Sequence, residues 1–221
     1  PEIKNQISSL MNGYDLVTIG DLKDKGLIRI STGNEVGKLA YGTGNIPFIR
    51  TSDIANWDIK IDPKQGISED IYEGLKEKQD IKPYDILMVR DGTYLIGTCA
   101  MLLPDDVKIV YQSHIYKIRS NDFDKLDPYL LLGLLSSPIV KRQIRSKQFT
   151  QDIIDTLGGR INELILPIPK DKKQQENIIN NVKNVYKKKE ETKKLMRKIV
   201  TQSIPELNID SNNTSFTLTD L

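Results

Sequence analysis

Between residues 14 and 120 the apolar positions come in short runs. "LVTIGDL", "LIRI", "IPFIRTSDI", "DILMVRD", "YLIGTCAML" and "VKIVYQSHIYKIRS" each read as β-rich, some leading into a polar turn. Frequent glycine and turn residues separate them, which predicts an antiparallel or mixed sheet rather than a doubly wound one. From Asp127 the period changes. "DPYLLLGLLSSPIVKRQIRS" has helical character, with Asp127 suited to an N-cap, Pro128 to a first turn, and Pro138 to the start of a second short helix. "FTQDIIDTLGGRINELILPIPK" reads as loop, glycine turn and strand, with "LPIP" extended because residues before proline avoid the α region.

A long helix is predicted from Asp171, its N-cap, to about Ser203, with neither Gly nor Pro before Pro205. Its seam runs Ile178, Val182, Val185, Lys189, Thr192, Met196, Ile199, in alternating steps of four and three as in a coiled coil. Apolar ends flank a polar middle. So thin a stripe leaves two readings: the helix pairs with another helix, or it packs back on its own domain. The first is the expectation, with Lys189 and Thr192 fixing register, and a chain ended near Lys170 would then still fold. The expected organisation is a globular domain at 14–170, the long helix at 171–203 and a loosely held polar tail at 204–221.

The segment "DILMVRDGTYLIGTCAML" places Arg90, Asp91, Gly92, Thr93 and Tyr94 between two apolar runs. Asp-Gly favours a hairpin turn, since Gly accepts positive φ and Asp tolerates it. The segment is thus either an ordinary hairpin or a recognition loop that presents a fork of donors and an aromatic face.

Composition narrows the choice. The 221 residues allow one large domain, or one domain with an appendage, and 38% hydrophobic content is ample for a core. No run approaches a membrane span, and the N-terminus does not read as a signal peptide, so a cytoplasmic protein is expected. A chain that opens on Pro1 has lost its initiator or is a piece of something longer. The single cysteine, Cys99, excludes an internal disulfide and a cysteine-based metal site. With 32 basic and 30 acidic residues the net charge is only +2, too small for a nonspecific nucleic-acid coat. The bases are nevertheless concentrated, in Lys141, Arg142, Arg145 and Lys147, and again along 183–198.

Catalytic signatures are missing. There is no P-loop, paired-His metal motif or G-x-S-x-G elbow, and the only histidine is His114. "YGTGNIPF" imitates an amino-methyltransferase, but Ile46 stands where the first proline belongs and the two motif pieces are fused. "SDIANWDIK" imitates a nuclease site, but Asp53 and Asp58 are too close for the usual two strands. What remains is binding chemistry at the predicted turns. Arg50, Thr51 and Ser52 form one group, Arg90, Asp91, Thr93 and Tyr94 a second, and Gln112 and His114 a third. Gln151 and Arg160 follow, beside the helix that carries Arg142, Arg145 and Lys147. Arg can bond guanine bidentately and Gln adenine, while Lys, Ser and Thr hold phosphates. Such groups recurring at several turns point to a binding edge.

These pieces, in this order, resemble a known family. "IPFIRTSDI", a "DIL" strand running into G-T-x-x-I-G, "SSPIVKRQI", a glycine turn and "LPIPKDKKQQENI" opening a long helix are similar to the target recognition domain of the type I restriction–modification specificity subunit. The likeness covers about 17–200, and "LPIP…QQENI" is its most specific part. Ile178-Ile179 replaces the usual Ile-Ala pair, and Tyr84 stands where many members have glycine. The resemblance implies an α/β fold: a mixed, largely antiparallel sheet with small helices, followed by one long coiled-coil helix. It implies a noncatalytic domain that reads half of a bipartite DNA target. Methyltransferase subunits or a fused methyltransferase domain, and a restriction subunit, would act there, with S-adenosylmethionine on the methyltransferase and methylation at adenine N6. The spacer helix would pair with a counterpart through Ile178, Val182, Val185, Met196 and Ile199, in a homodimer or within a larger subunit. A stand-alone nuclease or methyltransferase and a protein-only helical adaptor are the alternatives.

Overall fold

The computed structural model describes residues 2–55, 57–92, 94–151 and 154–203. The chain opens with α1 (Glu2–Ser9), β1 (Tyr14–Thr18), α2 (Ile19–Asp24) and β2 (Ile28–Thr32). The short strands β3 (Phe48–Ile49), β4 (Ile54–Ala55) and β5 (Asp58–Ile59) lead to α3 (Glu69–Gln79). Next come β6 (Ile86–Val89), β7 (Asp91–Gly92), β8 (Cys99–Met101), β9 (Val110–Tyr111) and β10 (Ile115–Ser120). Helices α4 (Pro128–Leu135) and α5 (Pro138–Lys147), strands β11 (Phe149–Gln151), β12 (Ile154–Thr156) and β13 (Ile165–Pro169), and α6 (Lys172–Ser203) complete it.

The main sheet has the order β2-β10-β6-β8 and is antiparallel throughout. A parallel pair, β3–β9, makes the architecture mixed, and β1 closes against β13 over five residue pairs. One face of the main sheet carries Ile86, Met88 and Ile118, which pack with Leu22, Leu131, Leu135, Val140 and Ile144 from the helices. Leu87, Val89 and Ile115 alternate onto the other face and meet Ile49, Ile54 and Tyr111. The period-2 alternation of a strand buried on both faces explains why these runs read as continuously apolar.

Local chemistry sets the helix starts. The Asp127 carboxylate accepts from Tyr129 N at 2.7 Å, and Ser137 Oγ accepts from Val140 N at 3.4 Å, each one residue before a first-turn proline. Asp171 Oδ1 accepts from Lys173 N at 2.9 Å at the head of α6. "LVTIGDL" is only half strand: Thr18 and Asp21 form a reciprocal cap that turns the chain into α2. Helix α3, absent from the sequence expectation, covers Phe48 and Val110 with Ile71, Tyr72 and Leu75.

The long helix departs from the expected spacer in its first half. Val182 is 3% exposed and Tyr186 6%, both within the main core, and Ile178 packs against Gly133 of α4. The Tyr186 ring stacks on Trp57 at 6.4 Å and 7°, and its hydroxyl donates to Trp57 O at 2.9 Å and accepts from Met101 N at 3.0 Å. Farther along, Lys189 and Lys193 approach Asp58 at 3.8 and 2.9 Å. The expectation of a helix projecting from its root is therefore corrected: Ile178 and Val182 serve the chain's own core. Of the seam, Val185 and Ile199 are 38% and 52% exposed, and Leu195 beside it is 58% exposed, so part of the seam stays uncovered. The expected tail at 204–221 lies outside the described residues.

Candidate nucleic-acid interface

Topology gathers the polar turns at one end of the main sheet. Thr32 ends β2 opposite Tyr116, Val89 ends β6 opposite Ile115, and Cys99 begins β8 opposite Met88. The loops 33–47, 90–98 and 112–114 thus leave from the same edge. Gln112 N donates to Ile49 O at 2.9 Å, which brings the turn beginning at Arg50 beside them. Strand β12 pairs with β7, Asp155 opposite Gly92 and Thr156 opposite Asp91, and adds the β11–β12 hairpin. Gly97 closes the arrangement: its φ is +82°, and a Cβ there would lie 2.7 Å from Ile144 Cδ1 of α5. Only glycine allows that turn and that helix approach together.

The Asp91-Gly92 pair is not a tight hairpin turn. It is a strand, and Asp91 is buried. Its carboxylate accepts from Arg90 Nε at 2.8 and 2.9 Å and from the Thr156 hydroxyl, and pairs with His114 Nδ1 at 2.7 Å. Burial alone would raise its pKa, but these hydrogen bonds outweigh burial and hold it below the ordinary carboxylate value. Asp91 therefore ties three segments of the edge together, and its oxygens face protein donors. Arg90 lies 6.0 Å above the Tyr116 ring and is partly exposed. Thr93 lies outside the described residues, whereas Tyr94 is 89% exposed at the loop tip.

His114 also faces Glu35 of the loop 33–47 at 3.8 Å, and the same carboxylate accepts from Ser113 and, at 3.4 Å, from Gln112. Glu35 was invisible in the sequence, since nothing in its neighbourhood marks it. Arg50 donates from Nε and Nη2 to Asp53 at 3.0 Å each and reaches Asp62 at 3.3 Å. Its guanidinium bridges protein carboxylates, while Thr51 is half-buried and Ser52 exposed on the turn beside it.

On α5, Lys141, Arg142 and Arg145 are exposed. Lys147 binds Glu163 at 2.6 Å, and Arg160 caps the Phe149 ring at 4.5 Å and donates to Lys147 O at 3.2 Å. Gln151 ends β11, and its side chain lies outside the described residues. The sheet end therefore presents a buried, cross-linked polar frame with exposed groups around it, as a surface that must hold its shape against a partner requires.

The sequence model of the type I restriction modification DNA specificity domain matches residues 11–200. The chain belongs to this family. The fold agrees: the S subunit of a type I restriction–modification system from M. genitalium superposes with a TM-score of 0.56 at 16% identity, over 86% of this chain and 43% of that one. A structure described by the complex assembly and conformational transition of a type I R-M system gives 0.51 at 13% identity, over 86% and 42%. This type I specificity domain thus spans about two-fifths of the solved chains it matches. No curated protein sequence matches it. Among the described residues no helix is long and apolar enough to cross a membrane.

Proposed function

We propose that this specificity domain reads one half of a bipartite target in double-stranded DNA and brings an adenine-N6 methyltransferase to it, as a separate subunit or a fused domain. The gathering of the loops 33–47, 90–98 and 112–114, the β11–β12 hairpin and the basic helix α5 at one sheet end carries this reading. The Asp91 and Glu35 networks set the shape of that end. Tyr94, Gln112, His114 and the Arg50 turn lie where base edges would be met, and Lys141, Arg142 and Arg145 where phosphates would be. The chain contributes no catalysis. S-adenosylmethionine binds the methyltransferase, and a restriction subunit joins the same assembly in the cytoplasm. The outer part of α6, with Val185, Met196 and Ile199, pairs with a second helix from another copy or a larger subunit.

A gel-shift titration against random duplex at several salt concentrations tests this. Binding that weakens with salt, with a slope that falls by about 1 when Arg145 is neutralised, supports a DNA surface. No binding at low salt would leave the protein-only adaptor.

A further inference from the structure

On one flank of the sheet end is a cleft of about 290 Å³ lined by Lys23, Arg90, Tyr116 and Asn162, by Gly158 and Gly159, and by the apolar Ile30 and Ile161. Lys23 comes from α2 and Arg90 from the junction of β6 and β7, so two elements far apart in sequence each supply a cation. No carboxylate lines the cleft. Both hydrogen bonds from Arg90 to Asp91 leave from Nε, so the terminal nitrogens of the fork are not spent on that carboxylate. The Tyr116 hydroxyl donates to Gly158 O and fixes the glycine turn against the sheet. At Gly159 nothing lies within 4 Å of an added Cβ, which leaves the backbone open to close approach.

A second cleft, of about 440 Å³, shows the contrast. Its cations Arg29, Lys82 and Arg119 stand around Asp80 at 3.8, 3.6 and 2.6 Å, so a carboxylate lines that cleft beside them. The first cleft has two cations, an amide and no acid, which is the chemistry of an anion seat.

We propose that the Lys23–Arg90 cleft seats one backbone phosphodiester of the bound duplex. The inference rests on the DNA-binding reading and gives Arg90 a different task from the one its sequence suggested. Held through Nε by Asp91, Arg90 sets the register of the duplex, and sequence is read by groups nearer the loop tips.

The test uses the full chain, a random-sequence duplex labelled for anisotropy, and a salt series. Lys23→Gln should lower the slope of log K against log salt by about 0.9, an affinity loss of about 8-fold at 0.1 M salt for one contact. Gly159→Glu, placed where a side chain has room, should lose at least as much, and Gly159→Gln much less. Wild-type binding with the same slope in all variants would overturn the cleft while leaving the DNA reading intact. Failure of the wild type to bind at low salt would overturn the DNA reading itself. Displacement of the duplex by millimolar AMP, abolished by Lys23→Gln, would make the cleft a free-nucleotide site and overturn the proposal.

Discussion

Tyr186→Phe removes a single oxygen from the contact that docks α6 on the sheet. That hydroxyl accepts from Met101 N at 3.0 Å and donates to Trp57 O at 2.9 Å. Met101 is buried and Trp57 half-buried, so the amide loses its partner outright while water can reach the carbonyl more readily. An orphaned buried group costs about 1–3 kcal/mol, which puts the substitution at about 2 kcal/mol. Tyr186→Ala also removes the ring stacked on Trp57 and the cover over Val182, for about 3–5 kcal/mol. Trp57 is the only tryptophan, so its emission during urea unfolding reports this contact directly. With a slope near 2 kcal/mol per M, Tyr186→Phe should lower the midpoint by about 1 M with the slope unchanged. Values within about 0.5 kcal/mol of wild type for both substitutions would refute the docking of α6 and restore a helix free from its root.

Three further outcomes are expected. The folded pKa of Asp91 lies below its unfolded value, so its contribution is present above pH 3.8 and is lost as pH falls through the lower folded value. The advantage of wild type over Asp91→Asn should therefore shrink as pH falls below 3.8, and parallel stability curves would contradict this. The buried Lys117 ammonium is pushed down to about 8, chiefly by desolvation, so the unfolded chain holds a proton that the folded one lacks between that value and 10.5. Relative to Lys117→Met, wild type should gain stability as pH rises from 8 to 10, measured by urea unfolding, and a loss would reverse the assignment. Ile199→Asp should abolish self-association in sedimentation without altering stability, because Ile199 is 52% exposed. Equal sedimentation of both chains would remove the outer seam as a homodimer contact.

Strands β6 and β8 were legible because they bury both faces and so read as unbroken apolar runs. The caps at Asp127 and Ser137 were legible because helix starts are local chemistry. Helix α3 was missed because its apolar stripe, Ile71, Tyr72 and Leu75, is brief and set in an acidic segment. Tyr186 was missed for another reason: it lies one residue off the heptad seam, and its partners Trp57 and Met101 are distant in sequence. Asp91 shows the same limit. An Asp-Gly pair signals a turn locally, but His114 and Thr156, 23 and 65 residues away, make it a buried strand residue. Arg50 is the opposite case, since Asp53 stands three residues on and the bridge between them was open to reading. Sequence reasoning picked out turns that the fold gathers at one end of the main sheet. It did not separate groups that build the edge from groups that face outward, because that depends on nonlocal pairing.

Repeated selection of bound molecules from a pool of randomised duplexes, followed by sequencing, tests the central claim most directly. The account predicts enrichment of one short contiguous block of base pairs, a single half-site, with the preference relaxed when Tyr94 or Gln112 is replaced by alanine. A pool that stays random through successive rounds, while the chain still binds duplex at low salt, would show a DNA-binding surface that does not read sequence and would contradict the account.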